Sequence, residues 1–171
     1  INNLLLLSRY DQNHEIEMKN ENLSNILKEI RPQLQLMAQN RKLEVEIEDN
    51  IFIKANSDQI KQIMFNLFQN AAKYSPEENG IIKLSLNLES KEETKFAILS
   101  VEDNGIGIPK ENISSIFDRF YRVNTHRSRN QGGYGLGLSI VKSIVEAHKG
   151  EISVWSKIGK GTKFTIQFKI L

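Results

Sequence analysis

The spacing of hydrophobic residues along the chain predicts three main helices. Apolar side chains recur every three or four positions over residues 22–41, 57–74 and 135–148, which is the period of a helix with one buried face. In the second of these segments the apolar stripe consists of Ile60, Ile63, Met64, Leu67, Phe68 and Ala71. The first segment contains Pro32, which removes a backbone hydrogen bond and can kink a helix.

Strands are predicted between these helices wherever apolar and polar residues alternate. The predicted strands are residues 43–47, 51–53, 82–88, 96–101, 151–156 and 164–170, with a shorter one at 15–19. Alternation of this kind indicates a sheet with one buried and one wet face. Gly159 and Gly161 mark a hairpin between the last two strands, and Gly150 lies where the third helix should stop.

Length and composition limit the class of protein. A chain of 171 residues with 26% charged and 39% hydrophobic residues is typical of one globular domain with a short extension. The net charge of +2 is too small for nucleic-acid or membrane binding through bulk electrostatics. There is no cysteine, which excludes disulfides and thiolate metal sites. Because the chain begins at Ile1 without methionine, we expect it to be a fragment of a longer protein.

A glycine cluster precedes the third helix and is the first candidate for ligand binding. Gly132, Gly133, Gly135 and Gly137 stand directly before the helical pattern. Glycines let a backbone approach a ligand closely, and a helix N-terminus offers free N–H groups and a positive dipole end to a phosphate. A flexible loop before a core helix is the alternative interpretation.

The second helix carries a line of polar residues. Asn66, Asn70 and Lys73 fall at positions i, i+4 and i+7, with Tyr74 beside them, so they share one side of the helix. Amide oxygens are ligands for Mg²⁺, and a lysine ammonium suits phosphate. The alternative is an ordinary solvated helix face.

Two further segments carry candidate chemistry. Asp103 ends a predicted strand, where its carboxylate can accept a hydrogen bond from an exocyclic amino group, and Gly105 and Gly107 would let the backbone lie against a flat ring. Arg122 stands at the entry of a polar loop, residues 122–134, from which a guanidinium could reach a γ-phosphate. The alternatives are a glycine-containing turn and a loop anchored by packed aromatic residues.

Taken in order, these segments resemble the ATP-binding domain of sensor histidine kinases, a branch of the GHKL superfamily. The resemblance covers the chain from about residue 20 to 171 and rests on five motifs in one order. These are the N box at 66–76, the G1 box at 103–109, the F box at 117–122, the G2 box at 133–138 and a final glycine motif at 159–162. Residues 1–14 are similar to the end of that family's second dimerisation helix, which implies a catalytic ATP-binding domain at 15–171.

The resemblance implies an α/β (α+β) two-layer sandwich of the Bergerat type, with a mixed sheet, helices on one face and an ATP lid at 123–134. ATP and Mg²⁺ are the implied cofactors. Asn70 would coordinate Mg²⁺, Asn66 would support the site and Lys73 would meet phosphate oxygens. Asp103 would bind the adenine amino group, and Arg122 would bridge the γ-phosphate and the acceptor. The other implied nucleotide contacts are Tyr74, Gly105, Gly107, Ile108, Gly133, Gly135, Leu136, Gly137, Leu138 and Thr162.

The implied activity is transfer of the ATP γ-phosphoryl group to a histidine. ATP-hydrolysing relatives carry a glutamate one turn before the metal-binding asparagine, and here that position is Asn66, which cannot act as a base. His14, His126 and His148 do not fit the family's phosphoacceptor. The acceptor is therefore expected in a dimerisation domain outside this chain, for relay to a response regulator.

The resemblance also implies a homodimeric parent protein that is membrane-anchored, with this domain in the cytoplasm and monomeric as a fragment, without a nucleic-acid partner. Two alternatives remain: a serine kinase of the anti-sigma-factor type and a nucleotide-binding regulator without catalysis. The leucine-rich segment at 1–10 disfavours the first alternative, and intact Asn70, Lys73 and Arg122 disfavour the second. Tyr134 departs from the pattern, since the family often has a small residue there.

Overall fold

The computed structural model describes residues 16–121 and 137–171. Within these ranges the three predicted helices are present, and six of the seven predicted strands lie at or near their predicted positions. The elements in chain order are β1 (Lys19–Asn22), α1 (Leu23–Ala38), β2 (Lys42–Ile47), β3 (Phe52–Ala55), α2 (Ser57–Tyr74), β4 (Ile81–Lys91), β5 (Thr94–Asp103), a short 3-10 helix (Lys110–Ser115), α3 (Gly137–Ala147), β6 (Glu151–Lys157) and β7 (Gly161–Lys169).

Five strands form a mixed sheet in the order β2-β4-β5-β7-β6, in which β2 runs parallel to β4 and the other neighbours are antiparallel. The mixed sheet expected from the resemblance is therefore confirmed. β1 and β3 pair with each other in a separate antiparallel sheet. β2 and β3 are separated by a bend at residues 48–51, in which Asn50 has φ of 60°, and they belong to different sheets.

The core lies between the helices and one face of the five-stranded sheet. The predicted stripe of α2 is buried, together with alternate residues of the central strands that point to the same side. These strand residues are Ile82, Leu84, Leu86, Ala97, Leu99, Val101, Phe164, Ile166 and Phe168. The residues between them on each strand, such as Ser85 and Thr165, lie on the outer face of the sheet. The chain thus forms the two-layer sandwich that was predicted.

One local prediction needs correction. The first strand lies at Lys19–Asn22 and not at 15–19, because it is placed by pairing with β3. Pro32 lies inside α1, which continues from Leu23 to Ala38, and Ile30 and Leu34 on either side of it are buried in the core. After the end of α3, Lys149 has a left-handed backbone conformation, with φ of 56°.

Gly150 stands where α3 stops, as predicted. Its N–H donates to the carbonyl of Val145 at 2.9 Å, which closes the end of α3. A Cβ on Gly150 would lie 2.8 Å from the carbonyl oxygen of Gln167, so the glycine is needed where the chain passes close to β7. In the two described ranges, no helix is long and apolar enough to cross a membrane.

Candidate functional site

The candidate site forms where β5 ends, between the C-terminus of α2 and the hairpin that joins β6 to β7. Asp103, the last residue of β5, pairs with Thr162 of β7. The N–H of Ile106, in the loop after β5, donates to the carbonyl of Tyr74 at 3.2 Å. Three of the five motifs, which are far apart in sequence, therefore meet at one end of the sheet.

Asp103 is a buried carboxyl group at the centre of this junction, with 6% of its surface exposed. Its Oδ1 accepts the N–H of Gly105 at 2.8 Å, and the backbone of Thr162 also bonds to the carboxylate. Burial raises the pKa of Asp103 from 3.8 to about 6, because desolvation outweighs these two bonds, and neighbouring Glu102 adds a smaller upward effect. At neutral pH the group is ionised and can accept a further hydrogen bond from a ligand.

The glycines around Asp103 are required by close packing of backbone against backbone. A Cβ on Gly105 would lie 2.5 Å from the carbonyl oxygen of Tyr74, and one on Gly161 would lie 1.9 Å from that of Asp103. Gly107 has φ of 77°, and its Cβ would lie 2.2 Å from the carbonyl oxygen of Lys157. These glycines hold the loop, the helix end and the hairpin together, and their contact with a ligand ring stays a prediction.

Ser156, on β6, is a residue of the site that sequence reasoning missed. Its Oγ accepts the N–H of Ile108 at 2.8 Å, donates to the carbonyl of Gly161 at 2.9 Å and lies 2.8 Å from Oγ1 of Thr162. With the Ser156 proton directed to Gly161, the Thr162 hydroxyl donates to Ser156 and keeps its lone pairs for another partner. The sequence feature that could have identified Ser156 is its position on β6. It follows Ile152 and Val154 at the alternate positions that face inward, where a hydroxyl group is unusual.

Asn66 lies on the other side of the site and is buried, with 7% of its surface exposed. Its Oδ1 lies 3.9 Å from the position of a Cβ on Gly137, the first residue of α3. Its Nδ2 is buried without a hydrogen-bond partner in the part of the chain that the structure describes. A buried donor left unpaired is costly, and a ligand oxygen would satisfy it. A solvated helix face is therefore the wrong interpretation for Asn66.

Asn70, Lys73 and Tyr74 continue along α2 and are half-buried. The ammonium of Lys73 lies 5.3 Å from the centre of the Tyr74 ring. The described ranges contain no cluster of three or more acidic, histidine or cysteine side chains that could hold a metal by themselves. An amide oxygen such as that of Asn70 fits Mg²⁺ that keeps waters and binds together with phosphates, because Mg²⁺ usually takes few ligands from the protein.

The remaining predicted residues divide into two groups. Leu138 follows Gly137 in the first turn of α3, and Ile108 lies in the loop after β5; both are half-buried and pack on the core. The other predicted positions lie outside the described residues, namely the helix end at 1–14, Arg122, the lid at 123–134 with His126, Gly133 and Tyr134, and then Gly135 and Leu136.

His148 has the structural role that was predicted for it. Its Nε2 accepts the N–H of Asn56 at 3.1 Å, so Nδ1 carries the proton and donates to the carbonyl of Ile144 at 2.8 Å. Burial lowers the pKa of His148, which keeps the ring neutral. Both ring nitrogens are engaged, and the contact joins the end of α3 to the residue that caps α2.

Comparisons with known proteins agree with this geometry. The profile of the family described as histidine kinase-, DNA gyrase B-, and HSP90-like ATPase matches residues 55–171. Sensor histidine kinase YkoH of Bacillus subtilis is 38% identical over 167 residues, covering 98% of this chain and 35% of YkoH. Sensor histidine kinase WalK of the same organism is 44% identical over 122 residues, covering 70% of this chain and 20% of WalK.

The chain thus spans between 20% and 35% of the length of these two curated relatives. Among solved structures, the nucleotide-free catalytic domain of histidine kinase ThkA has a TM-score of 0.72 and 28% sequence identity, and the match covers 91% of this chain and 97% of that one. Because the family profile matches well over half of the sequence, from β3 to the last residue, the chain belongs to the histidine kinase-, DNA gyrase B- and HSP90-like ATPase family.

Proposed function

We propose that this chain is the ATP-binding catalytic domain of a two-component sensor histidine kinase. The observation that carries the proposal is Asn66, a buried amide with an unpaired Nδ2 beside the first residue of α3. A phosphate at a helix N-terminus is an expected acceptor for such a donor. The hydrolases of the family carry glutamate at this position, and an amide cannot take a proton from water. This residue therefore supports phosphoryl transfer over hydrolysis.

Recognition of adenine is proposed for the junction around Asp103. An ionised carboxylate accepts the exocyclic amino group of adenine, while the two backbone N–H groups that already bond to it hold it in place. Gly105, Gly107 and Ile108 form one wall of this pocket, and the hydroxyl of Thr162 adds a polar contact. Tyr74, at the end of α2, packs near the sugar. Burial of the carboxylate strengthens the bond, because little water competes for it.

The triphosphate is proposed to lie between α2 and the start of α3. Asn70 would hold Mg²⁺ through its amide oxygen, and Lys73 would bind phosphate oxygens as a point charge. When bound, Mg²⁺ neutralises charge that develops on the phosphates. Arg122 and the glycine segment with Gly133, Gly135, Leu136, Gly137 and Leu138 complete the proposed phosphate contacts.

In the transfer step, a ring nitrogen of the acceptor histidine attacks the γ-phosphorus while the bond to the bridging oxygen breaks and ADP leaves with its electron pair. The chain contributes positioning and charge stabilisation, because phosphoryl transfer needs little covalent help from the enzyme. Lys73 and Arg122 are the proposed charge-stabilising groups, and Asn66 orients the phosphates without activating water.

The proposed partners follow from this activity. The acceptor histidine would belong to a dimerisation domain of the same protein, whose second helix would end in residues 1–14, and the phosphoryl group would pass on to a receiver domain. The parent protein would be a membrane-anchored homodimer with this domain in the cytoplasm. The naming of both curated relatives as sensor histidine kinases supports these assignments.

A reconstitution experiment tests the proposal. The 171-residue chain is incubated with ATP radiolabelled at its γ-phosphate, alone and with the separately purified dimerisation domain of the parent protein. We expect no label on the chain itself and acid-labile label on the added domain, because phosphohistidine is hydrolysed by acid. Stable self-labelling of the chain would overturn the proposal. Acid-stable label would identify a serine kinase, and ATP binding without any transfer would identify a non-catalytic regulator.

A further inference from the structure

Arg41 is a buried cation at the junction of α1 and β2, with 6% of its surface exposed. Its guanidinium bonds mainly to a single residue at the end of α2. Nε donates to Oγ of Ser75 at 2.8 Å, and Nη2 donates to the Ser75 carbonyl at 2.9 Å. Nη1 donates to Oε1 of Gln39 at 3.2 Å. The arginine therefore joins two segments that are 34 residues apart in sequence.

No carboxylate forms an ion pair with Arg41 within the ranges 16–121 and 137–171. Its charge instead faces the C-terminal end of α2, where the helix dipole is negative. Ser75 is the residue that caps this end, and both its N–H and its Oγ return to the carbonyl of Ala71, at 3.0 and 2.7 Å. The guanidinium thus neutralises a helix end whose last carbonyls have no partner within the helix.

The loop after α2 closes around the arginine side chain. A Cβ on Gly80 would lie 2.7 Å from Cγ of Arg41 and 2.1 Å from the carbonyl oxygen of Pro76, so Gly80 leaves room for the stem of the arginine. The carbonyl of Gly80 accepts the N–H of Lys42 at 2.8 Å, which joins this loop to the start of β2. Arg41 is therefore enclosed by the segment that leaves α2.

The position of Ser75 matters because the residues directly before it belong to the candidate site. Lys73 and Tyr74 occupy the last turn of α2. The carbonyl of Tyr74 accepts the N–H of Ile106 and would lie 2.5 Å from a Cβ on Gly105. Any shift of the end of α2 would therefore move the loop that follows Asp103.

We propose that Arg41 is a positioning residue for nucleotide binding, which acts through Ser75 to hold the end of α2 against the loop after β5. The inference rests on the proposed function and adds to it a residue outside the five motifs. Burying an arginine without a carboxylate is costly, and a well-packed apolar residue would serve a purely structural purpose at least as well. The planar guanidinium can bond the Ser75 side chain and carbonyl at once, which fixes the direction of the helix end.

The test compares ADP affinity by calorimetry in the 171-residue chain for Arg41→Ala and two controls. Leu34→Ala creates a cavity beneath the buried face of α1 and lowers the melting temperature. It leaves the contacts of Ser75 unchanged. Arg31→Ala removes an exposed arginine from α1, the helix that contains Leu34. We expect Arg41→Ala to weaken ADP binding by about tenfold or more at a temperature where all variants are folded. Both controls should bind within about twofold of the unmodified chain.

Equal affinity of Arg41→Ala and the unmodified chain would overturn the inference, as would an equal loss in Leu34→Ala, which would make the effect one of general stability. If the unmodified chain does not bind ADP, the proposed function itself fails. If Arg41→Ala does not fold, Arg41→Lys and Ser75→Ala carry the test, since each keeps part of the contact and should weaken ADP binding severalfold.

The route through Ser75 has its own test in the double variant Arg41→Lys with Ser75→Ala. If Arg41 acts through Ser75, the loss of ADP affinity in the double variant should be smaller than the product of the two single losses, because both changes break one contact. Losses that multiply independently would show that Arg41 acts by another route.

Discussion

Ionising the carboxyl group of Asp103 at neutral pH costs free energy, because the group is buried. The pKa rises from 3.8 in the unfolded chain to about 6 in the folded domain, so the folded state holds its proton to higher pH. The contribution of the protonated group to stability is therefore complete below about pH 4 and is lost as the pH rises through about 6. A ligand that donates a hydrogen bond to the carboxylate would recover part of this cost.

The first prediction follows from the upward direction of this pKa shift. In the absence of nucleotide, the difference in free energy of unfolding between the unmodified chain and Asp103→Asn should fall as the pH rises from about 4 to about 7. The expected change is about 3 kcal/mol for a pKa raised from 3.8 to about 6, because one pKa unit corresponds to about 1.4 kcal/mol. Urea unfolding at a series of pH values measures it, and a difference independent of pH would contradict the raised pKa.

A second prediction concerns Asn70. Asn70→Ala should remove the part of ATP affinity that depends on Mg²⁺ while leaving binding in the presence of a chelator nearly unchanged, because only the amide oxygen proposed to hold the ion is lost. Calorimetry with and without Mg²⁺ measures both values. Gln69→Ala, an exposed amide one position earlier on α2, is the matched control. If Mg²⁺ raises the affinity of Asn70→Ala as much as that of the unmodified chain, the metal role is wrong.

At the scale of the elements, the β6–β7 hairpin holds the candidate site together through side-chain contacts across strands. The side chain of Ser156 forms hydrogen bonds with Ile108 in the loop after β5 and with Gly161, the first residue of β7. It also lies within hydrogen-bond distance of the Thr162 hydroxyl. The alternating pattern predicted both strands and the hairpin between them, and the structure confirms them. The role of Ser156 could not be predicted, because Ile108 lies 48 residues away and approaches only after β5, β6 and β7 have paired.

The hairpin allows a prediction with an internal control. Ser156→Ala should lower the free energy of unfolding by about 1–3 kcal/mol, because the N–H of Ile108 and the carbonyl of Gly161 lose a partner. Ser153→Ala, on the exposed side of the same strand, should change it by no more than about 0.5 kcal/mol. Thermal or chemical unfolding measures both. Equal effects of the two substitutions would show that the contacts of Ser156 contribute nothing specific.

At the scale of the elements, the sequence pattern could not predict which strands pair with each other. β2 and β3 have the same alternating pattern and stand next to each other in sequence, yet β2 joins β4 and β3 joins β1. Period and composition describe a strand's own faces, but the choice of partner depends on strands elsewhere in the chain, earlier ones such as β1 and later ones such as β4. The first strand was predicted at the wrong residues for the same reason. Its few residues have a weak alternating pattern, and the position of β1 is set by its pairing with β3.

At the scale of the whole molecule, α2 is the element around which the layers are arranged. One side of it is buried against the core, and Asn66 on another side faces the first turn of α3. His148 connects the C-terminal end of α3 to Asn56, the residue that caps the start of α2. Asn66 therefore lies between α2 and the start of α3, while Asp103 lies at the end of β5 in the five-stranded sheet.

The sequence by itself determined the helices, all strands but the first, the family and most of the candidate residues, because periodicity, capping and ordered motifs are local properties of a chain. The comparisons confirmed the family. Only the tertiary structure decided that Asn66 is buried, that Gly105 and Gly161 are needed for backbone packing, that Arg41 bonds to Ser75 at the end of α2, and that Ser156 bonds to Gly161 and the loop after β5. These properties depend on which distant segments come together, and long-range contacts of this kind leave no periodic trace along the chain.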